Sequence, residues 1–408
     1  MKILPVLLVI TFFFSCSSIK LKEHVFPEPV DTSPVPVEMQ VKRSITHGGV
    51  TADNLFDGAR MNDFVQINDT TYRVIVSPEN EPINSSAYFG FRLKSNIKQN
   101  IDLEISYTGY DHRYIPKLSY DAINWTAMDS MSFDTLKGPQ LATLKLSIDE
   151  RPLYVCGQEL MTSSHAISWT DMLASNTGVS KEVAGKSRLG RDILFVDIDE
   201  NPDVKKEAIV VFSRLHPPEV SGYKAMIAFV ETIMDDSALS KLFRKKFRVL
   251  IYPMINPDGV DLGHWRHSAG GVDLNRDWAY YRQTESKVVA EHLIEKLKER
   301  KSSVVLGLDF HSTQEDIFYT LTDNRQSTIF GFKDIWLESI DNTFPDYTPI
   351  DGAYDLNTPI TKGWFYLQFG AEGITYEVGD ETPRKFVKAK GQTSAREMMK
   401  LMVLRKLD

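Results

Sequence analysis

The segment RLHPPEV, residues 214 to 220, sets a histidine and a glutamate three residues apart with two prolines between them. His216 follows AIVVF (208–212), an apolar and β-branched run that reads as a buried strand. Pro217 and Pro218 cannot extend a strand ladder, and proline suits the first turn of a helix. Met226, Ile227, Val230 and Ile233 then recur at helical spacing. The spacing predicts His216 at a strand end, Glu219 at a helix start, and a stiff corner between two side chains able to bind metal. H-x-x-E alone is a weak signal, since the same residues occur in solvated loops. LDFHST (308–313) adds His311 directly after another buried run. His216, Glu219 and His311 together make a His₂Glu set, one of the ligand sets of catalytic zinc, with a fourth position left for water.

Strands and helices must hold these residues in place. DILFVDI (192–198), EAIVVFS (207–213), FRVLIYP (247–253), SVVLGLDF (303–310) and GITYEV (373–378) read as strands. They alternate with helical stretches such as ESKVVAEHLIEKLKER (285–300). Continuous apolar strands between helices predict an α/β catalytic domain over residues 159–408: a mixed, largely parallel sheet with helices on both faces. In such sheets the site lies beyond the carboxyl ends of strands, and His216, His311 and Glu377 each fall at or just past one. Residues 41–158 have period two instead. Ile101, Leu103, Ile105 and Tyr107 share one face, and AYFGFRL (87–93) and LATLKLSI (141–148) alternate likewise. Turn signals at Asn68-Asp69, Pro78-Glu79 and Gly138-Pro139 punctuate them, so a small all-β sandwich is expected, with no catalytic cluster of its own.

The 408 residues are enough for two domains, and a net charge of −8 without a basic block argues against a nucleic-acid partner. Residues 1–15 carry Lys2 and the apolar run ILPVLLVITFFF, as expected of an export signal too short to span a bilayer. Phe14-Ser15-Cys16-Ser17-Ser18 resembles a bacterial lipoprotein signal with Cys16 as the lipidated residue, although Phe13 stands where that motif usually has leucine. Ordinary secretory cleavage nearby is the competing reading. The expectation is an exported protein of the bacterial periplasm or cell surface, anchored to the membrane through Cys16. Residues 16–40, with Pro27, Pro29, Pro34 and Pro36 among charges, read as a tether. With Cys16 lipidated, Cys156 has no partner for a disulfide.

NPDGVDLGHWRHSAGGVDLNRDW (256–278) is far more specific. With H-x-x-E before it and His311 after it, it resembles the zinc metallocarboxypeptidases (M14-type peptidases), above all their cytosolic-carboxypeptidase-like branch. Members of that branch carry a β-sandwich before the catalytic domain. FDGAR (56–60), YFGFRL (88–93) and PKLSYDAINW (116–125) are similar to it, so the resemblance spans about 41 to 385. The resemblance implies one zinc per chain on His216, Glu219 and His311. Asn275 and Arg276 would grip the free carboxylate of a peptide, a pairing that suits a guanidinium fork. Arg266, nine residues before Asn275, would steady the oxyanion. Glu377 in ITYEVGD would act as general base and acid, with Glu372 and Glu381 as nearby competitors. The family's mobile tyrosine corresponds to Tyr354 or Tyr366, and Tyr354, ten residues before Trp364, is the better match. Lys362 falls in the loop that lines the pocket for the terminal side chain. There it would favour acidic residues; a solvated lysine pointing away is an equal alternative. His264 and His267 flank Arg266 and read as loop residues rather than ligands.

The expected activity is zinc-dependent removal of C-terminal residues from peptides. A peptidoglycan stem-peptide amidase or carboxypeptidase is the neighbouring alternative, and a silent binder of C-terminal peptides is the alternative from another class. The lack of a disulfide and the short span from Glu219 to His311 depart from secreted digestive members and predict an open cleft.

Overall fold

A computed structural model describes residues 19–405. The expected export signal, and Cys16 with its expected lipid, lie outside the described residues.

Strands between Ser44 and Cys156 form one six-stranded and one five-stranded sheet. Their inward residues share one core. The period-two reading holds there: Ile101, Leu103, Ile105 and Tyr107 are buried along Gln99–Tyr107, and Ala142, Leu144, Leu146 and Ile148 along Leu141–Ile148. Trp265, from the segment between NPDG and DLNR, inserts into this same core and meets Tyr110 edge to face at 5.2 Å. The β layer is therefore packed onto the rest of the chain.

The second unit is a seven-stranded sheet. Its order across the sheet is Val179–Lys186, Asp192–Ile198, Phe247–Tyr252, Glu207–Ser213, Ser303–Thr313, Glu372–Gly379 and Ile317–Tyr319. Strand alternation sends Ile209 and Val211 to one apolar cluster with the helices Val220–Ile233 and Arg384–Arg405. Ala208, Val210 and Phe212 go to another, with the helices Thr284–Arg300 and Thr361–Phe369. Burial on both faces explains why these strands read as unbroken apolar runs.

Three expectations are corrected here. The sheet is mixed, but only its four central strands pair in parallel; the other three pairings are antiparallel. DILFVDI belongs to a hairpin whose turn uses Gly190 at φ +89°, and its apolar run carries no mark of strand direction. The prolines do not open a helix: Pro218 precedes Glu219, which caps the helix that starts at Val220. The expected tether is, over residues 19–40, an irregular strap held against the catalytic unit. Lys22 N–H donates to Gln368 (3.0 Å), the Gln283 amide donates to the Thr32 carbonyl (2.7 Å), and Val35 N–H donates to the Gly270 carbonyl (2.9 Å). Phe26 packs beside Leu321 and Leu356, so proline content marked irregular backbone, not free backbone.

Candidate active site

The carboxyl edge of the central strands carries the site. The chain leaves Glu207–Ser213, turns through Arg214 at φ +55°, and presents His216 just beyond the sheet. The following helix lies against the His311 strand with almost no gap: a Cβ on Gly222 would meet the His311 carbonyl oxygen at 2.1 Å. Gly222 N–H also donates to Ser312 Oγ at 2.8 Å. Only glycine permits that approach, and it brings Glu219, at the helix cap, onto His311. His311 lies inside its strand, not past its end, with Glu377 directly opposite on the neighbouring strand.

His216 Nδ1 lies 2.8 Å from Glu219 Oε1, His311 Nδ1 lies 2.7 Å from Glu219 Oε2, and the two Nδ1 atoms are 3.1 Å apart. Ligands held at zinc's usual bond lengths with tetrahedral angles sit roughly 3.3 Å from one another. The cluster is close to that spacing. Each imidazole is also fixed by its other nitrogen. His216 Nε2 donates to Asp273 Oδ1 at 2.8 Å and His311 Nε2 to Asp309 Oδ2 at 2.7 Å, which leaves both Nδ1 lone pairs turned inward. This is the donor set and the outer support of a zinc site, so the residues fit the metal.

A cavity of about 390 Å³ opens on this cluster and is lined by His216, Glu219, Arg266, Asn275, Arg276, Tyr354 and Glu377, among others. Burial pushes the Glu377 carboxyl up to about 8; the carboxylates of Glu219 and Asp309 add to this, while His311 and Arg266 oppose it. Glu377 Oε2 has no acceptor or donor partner among the described residues. Its competitors are engaged elsewhere: Glu372 accepts from Ser327 Oγ at 2.6 Å, and Glu381 pairs with Lys117 at 3.1 Å. Arg266 Nε donates to Asp273 Oδ2 at 2.8 Å; burial disfavours its charge, but Asp273 and Glu219 outweigh that and raise its pKa. Asp273 also accepts Asn275 N–H at 2.7 Å and caps the turn that presents Asn275 and Arg276. Asn256 of N-P-D-G accepts Gly259 N–H and donates to the carbonyls of Leu215 and His267, tying the His216 corner to the Arg266 loop.

Of the two tyrosines, Tyr354 lines the cavity, whereas Tyr366 packs in the apolar cluster around Phe26 and Leu356. Burial raises the Tyr354 phenol to about 12. Lys362 does not line the cavity, contrary to expectation. It is 1% exposed, in the first turn of Thr361–Phe369, and its ammonium donates to the carbonyls of Thr320 (2.6 Å) and Tyr354 (3.0 Å) behind the Tyr354 ring. Helix geometry turned it inward, and two carbonyls satisfy it there. Thr358 and Ile360 line the cavity from that segment instead. His264 and His267 are structural: His264 Nδ1 donates to the His267 carbonyl, and His267 Nδ1 donates to Asn80.

Four contributors were missed by sequence reasoning. Asp309 had a local signal, two residues before His311 and so on the same strand face. Asp273 lay within D-L-N-R. Asn84 and Arg113 had none: they belong to the β layer, which was expected to carry no site residues, yet both line the cavity.

The model of the family described as zinc carboxypeptidase (Peptidase_M14) matches residues 167–394, more than half of the chain. Mouse cytosolic carboxypeptidase 3 is 33% identical over 138 residues, which are 32% of this chain and 14% of the mouse protein. Human cytosolic carboxypeptidase 2 is 35% identical over 126 residues, 30% of this chain and 14% of the human protein. The match thus spans a small fraction of these longer relatives. A metallo-carboxypeptidase from Burkholderia cenocepacia superposes with a TM-score of 0.73 at 15% identity, over 88% of this chain and 100% of that one, and so shares its fold. The His₂Glu cluster, the NPDG and DLNR segments and the matched domain together establish that the chain belongs to the zinc carboxypeptidase family of peptide-bond hydrolases.

Proposed function

We propose that the protein removes the C-terminal residue of peptides. The observation that carries this reading is the meeting, in one cavity, of the His₂Glu cluster, Glu377 with its buried and unpartnered Oε2, and Asn275 with Arg276. Arg276 and Asn275 receive the free carboxylate of the substrate and so place the terminal peptide bond over the cluster. His216, Glu219 and His311 would hold the zinc, which would supply a Lewis acid for the carbonyl and acidify water. Glu377 takes the proton from the attacking water and returns it to the departing amine, a role suited to a carboxyl raised toward neutrality. Arg266 pairs with the oxyanion as charge develops, its orientation held by Asp273. Tyr354, at the cavity wall, is placed to contact the terminal residue.

Three arginines reach the cavity, Arg113, Arg266 and Arg276, and they favour substrates with negative charge near the cleaved end. On this reading an acidic terminal preference rests on Arg113 rather than on Lys362, since Arg266 and Arg276 serve the oxyanion and the free carboxylate of any peptide. The apolar run before Cys16 adds export and membrane anchoring to the proposal, which makes extracytoplasmic peptides the substrate pool.

The test is mass spectrometry of paired free-acid and C-terminally amidated peptides, with muropeptides in parallel, after incubation with zinc-loaded protein. Loss of single terminal residues from the free acids alone supports the proposal. Internal cuts, or equal cleavage of both peptides, refute it. Cleavage confined to muropeptides moves the activity to stem peptides.

A further inference from the structure

The turn at Pro78-Glu79 belongs to the β layer, yet its carboxylate ends in the catalytic unit. Glu79 is completely buried. Its Oε2 accepts Trp265 N–H at 2.8 Å, and its Oε1 accepts the N–H groups of Arg266 (3.0 Å) and His267 (2.7 Å). One carboxylate thus collects three successive amides, with Arg266 in the middle. Asn80 adds a second grip: its Oδ1 accepts from His267 Nδ1 at 2.7 Å and its Nδ2 donates to the Gly271 carbonyl at 2.9 Å.

We infer that Glu79 is a positioning residue for Arg266, so that the β layer sets the transition-state arginine of the neighbouring unit. The inference rests on the role of Arg266 proposed above. The Arg266 side chain is held at its far end by Asp273, which also accepts from His216. Its near end is the backbone that Glu79 pins. Fixing both ends aims the guanidinium before substrate arrives, which is what a preorganised charge requires.

Glu79 is not the sole tie between the two units. Trp265 fills the β core, Arg113 pairs with Asp380 at 2.8 Å, and Lys117 pairs with Glu381 at 3.1 Å. A carboxylate buried without need is costly, so its place beneath the Arg266 loop calls for a use specific to that loop. The group is held ionised: burial opposes this, but His264, Arg60 and the amides of Trp265 and His267 outweigh burial and lower its pKa. A neutral amide in its place would turn an NH₂ toward one of the three N–H groups and lose that contact.

The experiment is a double-mutant cycle in the full zinc-loaded chain, with Glu79→Gln, Arg266→Ala and the double variant assayed on a free-acid peptide and checked for zinc content and thermal unfolding. Arg266→Ala is expected to lower kcat by roughly 10²-fold or more, as for a lost oxyanion donor. Glu79→Gln is expected to lower kcat by roughly 10- to 100-fold through misplacement, with KM and zinc content changed by no more than about two-fold. In the Arg266→Ala background Glu79→Gln should change kcat by less than about two-fold, because nothing is left to aim. An equal factor in both backgrounds would reduce Glu79 to a structural residue and overturn the inference, as would normal kcat in Glu79→Gln beside a crippled Arg266→Ala. Wild-type kcat in Arg266→Ala would instead remove the role of Arg266, and this inference with it. If Glu79→Gln does not fold, Glu79→Asp keeps the charge but withdraws it by one methylene. It should then show a smaller kcat loss that disappears in the Arg266→Ala background, and a loss that persists there overturns the inference.

Discussion

Replacing Asp309 with asparagine tests whether the imidazole of His311 is a zinc ligand shaped from behind. Asp309 is fully buried, and its Oδ2 accepts from His311 Nε2 at 2.7 Å and from the Thr361 hydroxyl. Asparagine keeps the size and an oxygen for Nε2–H, so the hydrogen bond survives but loses its charge. A charge-assisted hydrogen bond contributes about 1.5–3 kcal/mol and a neutral one about 1, so the difference is about 0.5–2 kcal/mol. At about 1.4 kcal/mol per decade this is roughly 2- to 30-fold in zinc affinity, which overlaps the lower part of the roughly 10- to 100-fold range for partners of metal-bound histidines. Asp309→Ala goes further, because it leaves a buried N–H unpaired, and roughly 100-fold is expected. The assay is competition for zinc against a chromophoric chelator at fixed pH, with metal content measured independently. Both variants binding zinc within about two-fold of the wild type would refute the argument that Nε2 orientation sets ligand strength.

Chelation should abolish hydrolysis, and His216→Ala or His311→Ala should purify without zinc, since two of three protein ligands hold an incomplete site; stoichiometric metal in either variant would dismiss that ligand. Glu377→Gln should retain zinc while kcat falls by roughly 10²-fold or more, and near-normal turnover would pass the proton-transfer role to another acid. Lys362→Met should leave the ranking of Glu-, Leu- and Lys-terminated peptides unchanged, because the ammonium is spent on two carbonyls behind Tyr354; a reordered kcat/KM series would return it to the pocket. The same variant carries a pH signature. Burial lowers the Lys362 pKa to about 7, so between about 7 and its ordinary value near 10.5 the unfolded chain binds more protons. Wild-type stability should therefore gain more than that of Lys362→Met as pH rises from 7 to 9, and parallel denaturation profiles would contradict the lowered pKa of the buried lysine.

The sequence alone was enough to read those features that follow from short-range periodicity and motif order. Period-two runs such as IDLEISY read as half-buried strands, and AIVVF followed by His-Pro-Pro-Glu read as a strand turning into a helix, although that motif gained weight as a metal-binding pair only beside the later motifs. The order of H-x-x-E, N-P-D-G, D-L-N-R and His311 carried the family resemblance, because each motif is local and its spacing survives without knowledge of the fold. Tertiary structure decided what depends on contacts across distant sequence. Strand direction at the sheet edges was hidden, since an apolar run reads the same in either sense. Lys362 was misplaced because one residue of helical phase separates a pocket-facing ammonium from one held by buried carbonyls. The strap of residues 19–40 was mistaken for a free tether because proline reports backbone shape and says nothing of what the segment docks against. Arg113, Asn84 and Glu79 were invisible for the same reason. Each lies more than a hundred residues from the loops it serves, and only the packing of the β layer onto the catalytic sheet brings its side chain to the cavity or to the arginine loop.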